Sequence, residues 1–416
     1  MKIAIIGAGI TGLTCGFKLS QKGHKVSIFE KESFPGGLVS GFKLKNWDWN
    51  LENIYHHLFE SDKEAIALLK ELGILEKLEF KNAKSSVFFR DEISQFDSPV
   101  SILKFPYLSF CQKIRVGMAS FVLKLSSQNK LFESLKAFKA LKTLYGQTAY
   151  KIIWKPLLKS KFGKYYKRVS FLWFWARIKK RSFKLGFLNG GFEILIKALT
   201  EKVIKNGGKI YLNHEINNID DLKKQGFDKI IAAIPTPVFQ KIIPASPEYE
   251  KTLNQTKWIG SLNLILILKE KFLTDNTYWL NINEESFPFL ALVEHTNVVS
   301  SKSFDKKHIL YLGGYYEKDH SIYKKGEKEI FNDFKPFLKK INSNYDFEKN
   351  LVGLKKYSCF FSQPVISTNH SKKLLEYKTP LKNIYLCNME QIYPWDRGVN
   401  YAIKEGIKMA GLIEKE

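Results

Sequence analysis

Three glycines and one acid define the chemistry this chain can perform. Gly7, Gly9 and Gly12 follow the apolar run at residues 3–6, and Glu30 closes a second apolar run at residues 25–29. Gly7 allows a sharp turn out of a strand, and Gly9 removes a side chain where backbone must approach a pyrophosphate. Gly12, with Gly16 one turn on, lets a helix lie close against a sheet. The first N–H groups of that helix, on Ile10, Thr11 and Gly12, have no partner inside it; with the positive dipole end they favour a phosphate. Glu30 stands where a carboxylate accepts hydrogen bonds from both ribose hydroxyls and repels a 2′-phosphate. Glycines also punctuate ordinary turns. Here they follow a strand, open a helix and have an acid at the right distance, the context expected of a dinucleotide site.

After Glu30 comes Lys31-Glu32-Ser33-Phe34-Pro35-Gly36-Gly37-Leu38. A glycine pair shortly after the ribose acid resembles that of the flavin amine oxidase superfamily, which includes protoporphyrinogen oxidases and phytoene desaturases. The resemblance implies FAD as cofactor, with Gly36 and Gly37 beside its diphosphate and Lys31 and Leu38 among the residues that bind it. It also implies that backbone at Ile216 faces the adenine. In the closing stretch it implies that the run at residues 383–389, with Asn388, leads to a last helix whose amino end points at the flavin pyrimidine. Gly398, Val399 and Asn400 would supply donors there, where a helix dipole favours negative charge on the reduced ring. Arg397 either adds positive charge at that point or pairs with Asp396.

The pair His56 and His57 lacks a third ligand at metal spacing, so no metal site is expected. Family members carry a similar Tyr-His-His segment beside the flavin ring, which places one or both histidines in the active site; packed or surface histidines are the alternative. As active-site groups they would switch charge near pH 7. The stretch at residues 154–163 is similar to a WxPLLxxKFG motif in bacterial relatives of protoporphyrinogen oxidase, and Phe174-Trp175-Ala176-Arg177 recurs there too. Both would shape the substrate cavity.

The elements that position these groups follow the same logic. The chain has 416 residues, 44% hydrophobic and 14% aromatic, enough for two lobes. The expected architecture is α/β: a Rossmann-like FAD-binding domain built from three discontinuous segments, residues 1–85, 186–247 and 376–416. A mixed helical and β-sheet substrate domain would take residues 86–185 and 248–375. A capping box at residues 61–64 would start a helix carrying Ala65, Leu68, Leu69 and Leu72. A hairpin is expected at residues 41–50, strands at 259–268, 287–293, 309–312 and 351–358, and a helix at 327–341 interrupted at Pro336.

Charge is unevenly spread. Residues 100–185 hold twenty Lys or Arg and one acid, Glu133, so this segment carries +19 of the chain's +25. Apolar residues recur there at three and four, as at Phe110, Ile114, Met118, Phe121, Val122 and Leu125. Such a face fits an anionic membrane surface, with a solvated cationic face over an ordinary core as the alternative. No nucleic-acid motif accompanies the charge, so no nucleic acid is expected. Four scattered cysteines predict reduced thiols and a cytoplasmic setting, with possible peripheral attachment to the inner face of the membrane. The expected function is FAD-dependent oxidoreduction of a bulky apolar or lipid-linked molecule, with flavin N5 accepting or donating a hydride. A redox-neutral flavoenzyme resembling UDP-galactopyranose mutase, and a non-catalytic flavin-bound scaffold, are the alternatives.

Overall fold

The computed structural model describes residues 1–127 and 130–416. Its first sheet is wholly parallel, in the order Lys209–Tyr211, Lys25–Phe29, Lys2–Ile6, Lys229–Ala232, Ile384–Leu386. These strands are short, rich in isoleucine and covered on both faces, which is why they read as continuous apolar runs instead of alternating ones. One face carries the opening helix Ile10–Gln21, the closing helix Val399–Ile413 and Glu193–Lys205, packed through Leu13, Phe17, Leu199 and Met409. The other carries the helix Thr236–Ile242 through Phe239 and Ile242. A Cβ on Gly406 would stand 2.6 Å from Thr11 O, so glycine lets the closing helix lie directly on the opening one.

The second sheet is mixed and seven-stranded, in the order Leu351–Pro364, Trp258–Leu268, His308–Tyr316, Ala291–Glu294, Thr277–Ile282, Lys84–Phe89, Glu92–Gln95. The last two strands form a hairpin whose turn residues, Arg90 and Asp91, both have positive φ, as a two-residue primed turn requires. Strand Thr277–Ile282 has no counterpart in the sequence expectations, because its buried Tyr278, Leu280 and Ile282 alternate over too short a run. The helix Glu327–Ile341 continues through Pro336 instead of breaking there. Ile330, Phe331, Phe334 and Leu338 are all buried on its inner face, and that burial outweighs one missing backbone hydrogen bond.

The expected hairpin at residues 41–50 is a wider one, pairing Gly41–Phe42 with Leu51–Glu52 around the buried Trp47 and Trp49. The helix Lys63–Leu72 buries Ala65, Leu68, Leu69 and Leu72 but lacks the expected capping box. Its N-cap is Asp62, whose carboxylate accepts instead from the Phe59 N–H at 2.9 Å.

The cationic helical segment packs on the second sheet, sharing a core with Val87 and Ile259. Helix Phe110–Leu125 starts on a capping box of Ser109 and Gln112 and buries only its small face, Val116, Ala119 and Leu123. Its large apolar residues point outward: Phe110 is 70% exposed, Met118 65%, Phe121 64% and Leu125 67%. Helix Phe171–Lys180 forms the inner layer, with Trp173, Phe174 and Trp175 buried. The two helices are tied at their carboxyl ends, where Lys124 Nζ donates to Lys179 O and Arg181 O at 3.1 and 2.6 Å. A π-turn at Tyr150–Trp154 precedes helix Lys155–Phe162. Asn283 Nδ2 donates to Ile152 O within it at 2.8 Å, satisfying a carbonyl in the wider turn.

Candidate active site

The glycine turn between Lys2–Ile6 and the opening helix forms a cradle. Gly7 takes φ +100° and its N–H donates to Phe29 O at 2.8 Å, bending the chain out of the sheet. Gly36, at φ +118°, donates its N–H to Ala8 O at 2.8 Å, and Gly9 and Gly36 form a parallel bridge. Gly9 itself has φ −70°, which any residue adopts, and a Cβ built on it meets nothing within 4 Å. Nothing in the described protein therefore requires glycine at this position, and the free space is what a cofactor backbone would use. The opening helix has no side-chain cap and no acid in its first turn, so its N–H groups remain available to an anion.

Glu30 is held beside the cradle: Oε2 accepts from the Ala8 N–H at 2.8 Å and Oε1 from the Glu32 N–H at 3.1 Å. Lys31 points to solvent and pairs with Glu32 at 3.3 Å. Leu38 lies in the short turn Gly37–Val39, and Ile216 packs beside the cluster that contains Phe29. Taken together, the residues present fit a dinucleotide.

At the far end, the closing helix begins at Gly398, again with no side-chain cap and no acid in the first turn. Val399 is buried, and the Asn400 side chain turns to the helix Lys63–Leu72, accepting from the Ala65 N–H at 2.8 Å and donating to Glu64 at 2.9 Å. The Asn388 amide donates to Ile234 O and Thr236 Oγ1 at 2.9 and 3.1 Å, fixing the turn after Ile384–Leu386. Cys387 is buried, and burial pushes its thiol well above the usual range. This uncapped amino end fits a ring edge that gains negative charge.

His56, His57, Tyr55 and Tyr315 are all half-buried, retaining partial solvent contact. His56 donates Nδ1–H to Ile54 O at 2.6 Å, leaving Nε2 as the acceptor. Burial first, and then Arg397, lowers its pKa to about 4. Burial, then His56 and the arginines Arg181 and Arg177, lowers His57 to about 3. Both are neutral at pH 7, so neither provides the charge switch expected there.

Arg397 is not paired with Asp396. Its Nη2 donates to the Tyr315 hydroxyl at 2.6 Å and its Nε to Gln363 Oε1 at 3.0 Å. Asp396 instead meets Arg177 at 2.7 Å and Lys161 at 3.4 Å, and accepts from Trp173 Nε1 at 3.1 Å. Arg397 and His56 share one electrostatic environment, while Gly7, Gly9 and Glu30 form the cradle at the parallel sheet. Tyr55, Tyr315, Gln363 and Asp396 were not singled out as site residues from sequence. Asp396 adjoins a recognised motif, but Tyr315 and Gln363 lie on strands without one.

A family model for flavin containing amine oxidoreductase matches residues 10–413. The 15-cis-phytoene desaturase of Synechococcus elongatus is 34% identical over 104 residues, covering 24% of this chain and 21% of that protein. The chain spans between 13% and 21% of the length of the first curated relatives it matches. Among solved structures, a candidate protoporphyrinogen oxidase from Exiguobacterium sp. 255-15 superposes with a TM-score of 0.77 at 15% identity, covering 100% of this chain and 98% of that one. Reduced UDP-galactopyranose mutase gives 0.78 at 16%, covering 100% and 95%. These two likenesses show the shared α/β fold. With the family match spanning nearly the whole chain, the protein belongs to the flavin containing amine oxidoreductases, whose cofactor is FAD.

Proposed function

We propose that the enzyme oxidises a bulky, apolar or lipid-linked substrate that it meets at an anionic membrane surface. The observation that carries this reading is the outward row Phe110, Ile114, Met118, Phe121, Val122 and Leu125, set in the segment that carries most of the chain's positive charge. A contiguous apolar row on a soluble surface is costly in water, and lysines around it suit acidic headgroups. Among the described residues no helix is long and apolar enough to cross a membrane, so the proposed attachment is peripheral. One curated relative is named for a 15-cis-phytoene substrate, an apolar polyene by its chemistry.

When bound, the flavin supplies hydride acceptance at N5; the chain supplies position and electrostatics. Tyr55, set edge-on to Trp279 at 4.9 Å and to Tyr311 at 5.6 Å, forms an aromatic wall for an apolar substrate. Neutral His56 and His57 complete it as uncharged hydrogen-bonding groups. Arg397 places fixed positive charge next to the amino end of the closing helix.

The test is anaerobic reduction of the FAD-loaded protein with a polyene, a porphyrinogen and small amines, each presented with anionic vesicles. Bleaching of the flavin band by a large apolar substrate is the expected result. Bleaching by small water-soluble amines alone overturns the reading.

A further inference from the structure

Lys161 and Arg177 of the helical segment meet Arg397 of the closing stretch, and together they carry more positive charge than the residues around them neutralise. Lys161, 5% exposed, and Arg177 share the single carboxylate of Asp396. Arg397, beside them, has only neutral acceptors among the described residues, the Tyr315 hydroxyl and the Gln363 amide. Lys161 also lies over the rings of Trp173 and Tyr315 at 5.1 and 5.4 Å, and Arg177 over Trp173 at 5.1 Å. Three cations thus face one anion. With Lys161 buried and Arg177 and Arg397 half-buried, this excess of two positive charges favours an anion from outside the protein.

The neighbouring groups register the same field. Burial pushes the Tyr315 hydroxyl up, but Arg397, Lys161 and Arg177 pull it down further, leaving it below the usual phenol range. Burial also raises Asp396, yet Lys161, Arg177 and Arg397 hold it far below the usual carboxylate range. The excess does not serve the cofactor diphosphate, whose cradle at Gly9 and Gly36 adjoins a different core, containing Ala8 and Ile10. Phe162 and Trp173, next to the cations, belong to the core of the helical segment.

We propose that Lys161, Arg177, Arg397 and Tyr315 bind a phosphate or diphosphate ester group of the substrate. A phosphate ester carries up to two negative charges and matches the excess, whereas a carboxylate neutralises half of it. Arg177 uses only Nη1 on Asp396, and Arg397 only Nε and Nη2, so both guanidinium forks retain donors for phosphate oxygens. Arg177 lies on the helix whose carboxyl end is tied to Leu125 of the outward apolar row, through Lys179 Nζ on Leu125 O at 3.3 Å. An apolar chain at the surface and an anionic head within are thereby accommodated by one substrate. This placement rests on the membrane-substrate reading above; the charge argument does not.

The experiment titrates FAD-loaded protein with geranyl diphosphate, geraniol, UDP and inorganic pyrophosphate, read by tryptophan fluorescence and by the flavin difference spectrum. Geranyl diphosphate is expected to bind about 100-fold more tightly than geraniol, the scale of a few charge-assisted hydrogen bonds. In Arg177→Met that preference falls about tenfold or more with FAD content unchanged. Equal binding of geraniol and geranyl diphosphate by the wild type, which needs no variant to fold, overturns the proposal. So does pyrophosphate binding more tightly than either ester, which marks an adventitious ion only. UDP binding as tightly as geranyl diphosphate supports the anion site and identifies a nucleotide as its source, which defeats the lipid reading while leaving this one standing.

Discussion

Arg397 and Tyr315 are joined by a 2.6 Å hydrogen bond between residues 82 positions apart, linking the closing segment to the mixed sheet. Because the guanidinium and its neighbours stabilise the phenolate, one tyrosine should ionise below the ordinary phenol value while Tyr55, which burial raises well above it, does not. An ultraviolet titration of the native protein should show that early step, and Tyr315→Phe should abolish it. Loss of the hydroxyl leaves Arg397 under-satisfied and is expected to cost about 1–3 kcal/mol in denaturant unfolding.

Asp396 is the only carboxylate among the described residues to pair with Lys161 and Arg177. Asp396→Asn should cost about 3 kcal/mol at pH 7, because buried Lys161 and half-buried Arg177 lose their partner. Its folded pKa lies below the unfolded carboxylate value, so its contribution is present above pH ~4 and is lost as pH falls through the folded value. Adding Arg177→Met to Asp396→Asn should recover part of the loss, measured as a shift in urea midpoint.

Two glycines in the opening motif should fail differently. Gly12→Ala would place a Cβ 2.0 Å from Gly7 O and should destabilise the fold itself. Gly9→Val enters open space at an ordinary φ, so the melting temperature of the cofactor-free protein should hold while bound FAD, read at the flavin absorption band, is lost. A Gly9→Val protein that keeps its FAD would show that the cradle holds something else.

His295 is fully enclosed among Trp49, Phe187, Phe304 and Tyr311, and burial lowers its pKa to about 3. Between that value and the unfolded value near 6.5 the unfolded chain binds the extra proton, so stability falls with acidification across this window. Comparing denaturant midpoints at pH 7 and 4.5, His295→Leu should lose less stability than the wild type, by up to ~2 kcal/mol.

Phe110→Ser, Phe121→Ser and Leu125→Ser remove outward side chains and should change stability by no more than about 0.5 kcal/mol each. Together they should abolish sedimentation with anionic vesicles. Glutamate at Lys136, Lys139 and Lys142, all exposed, should weaken binding in the same assay, as should added salt. Undiminished binding by the triple serine variant would remove the apolar row from the account.

The parallel sheet was legible because the turn after Ile6 and the acid at Glu30 are local signals with fixed spacing, and family resemblance extended them to Gly36 and Gly398. The cation cluster was not. Lys161 and Arg177 meet Asp396 across 235 and 219 residues, and no periodicity within a helix or strand encodes a partner at that distance. Local rules also failed where tertiary burial opposed them: Pro336 sits inside a helix whose inner face is fully packed. At Ser61 the capping pattern is present in the sequence, but Asp62 takes the N-cap and Asn400 engages Glu64.

The edge strand Ile384–Leu386 and the helix after it complete a sheet whose other strands all precede residue 233. On the ribosome, the nascent chain therefore exposes an unpaired backbone edge at Lys229–Ala232 while some 150 further residues are synthesised, an interval in which wrong strand pairing competes with the correct one. Non-local closure of this kind slows maturation, so early capture of the flavin would act as a folding aid as well as a redox group.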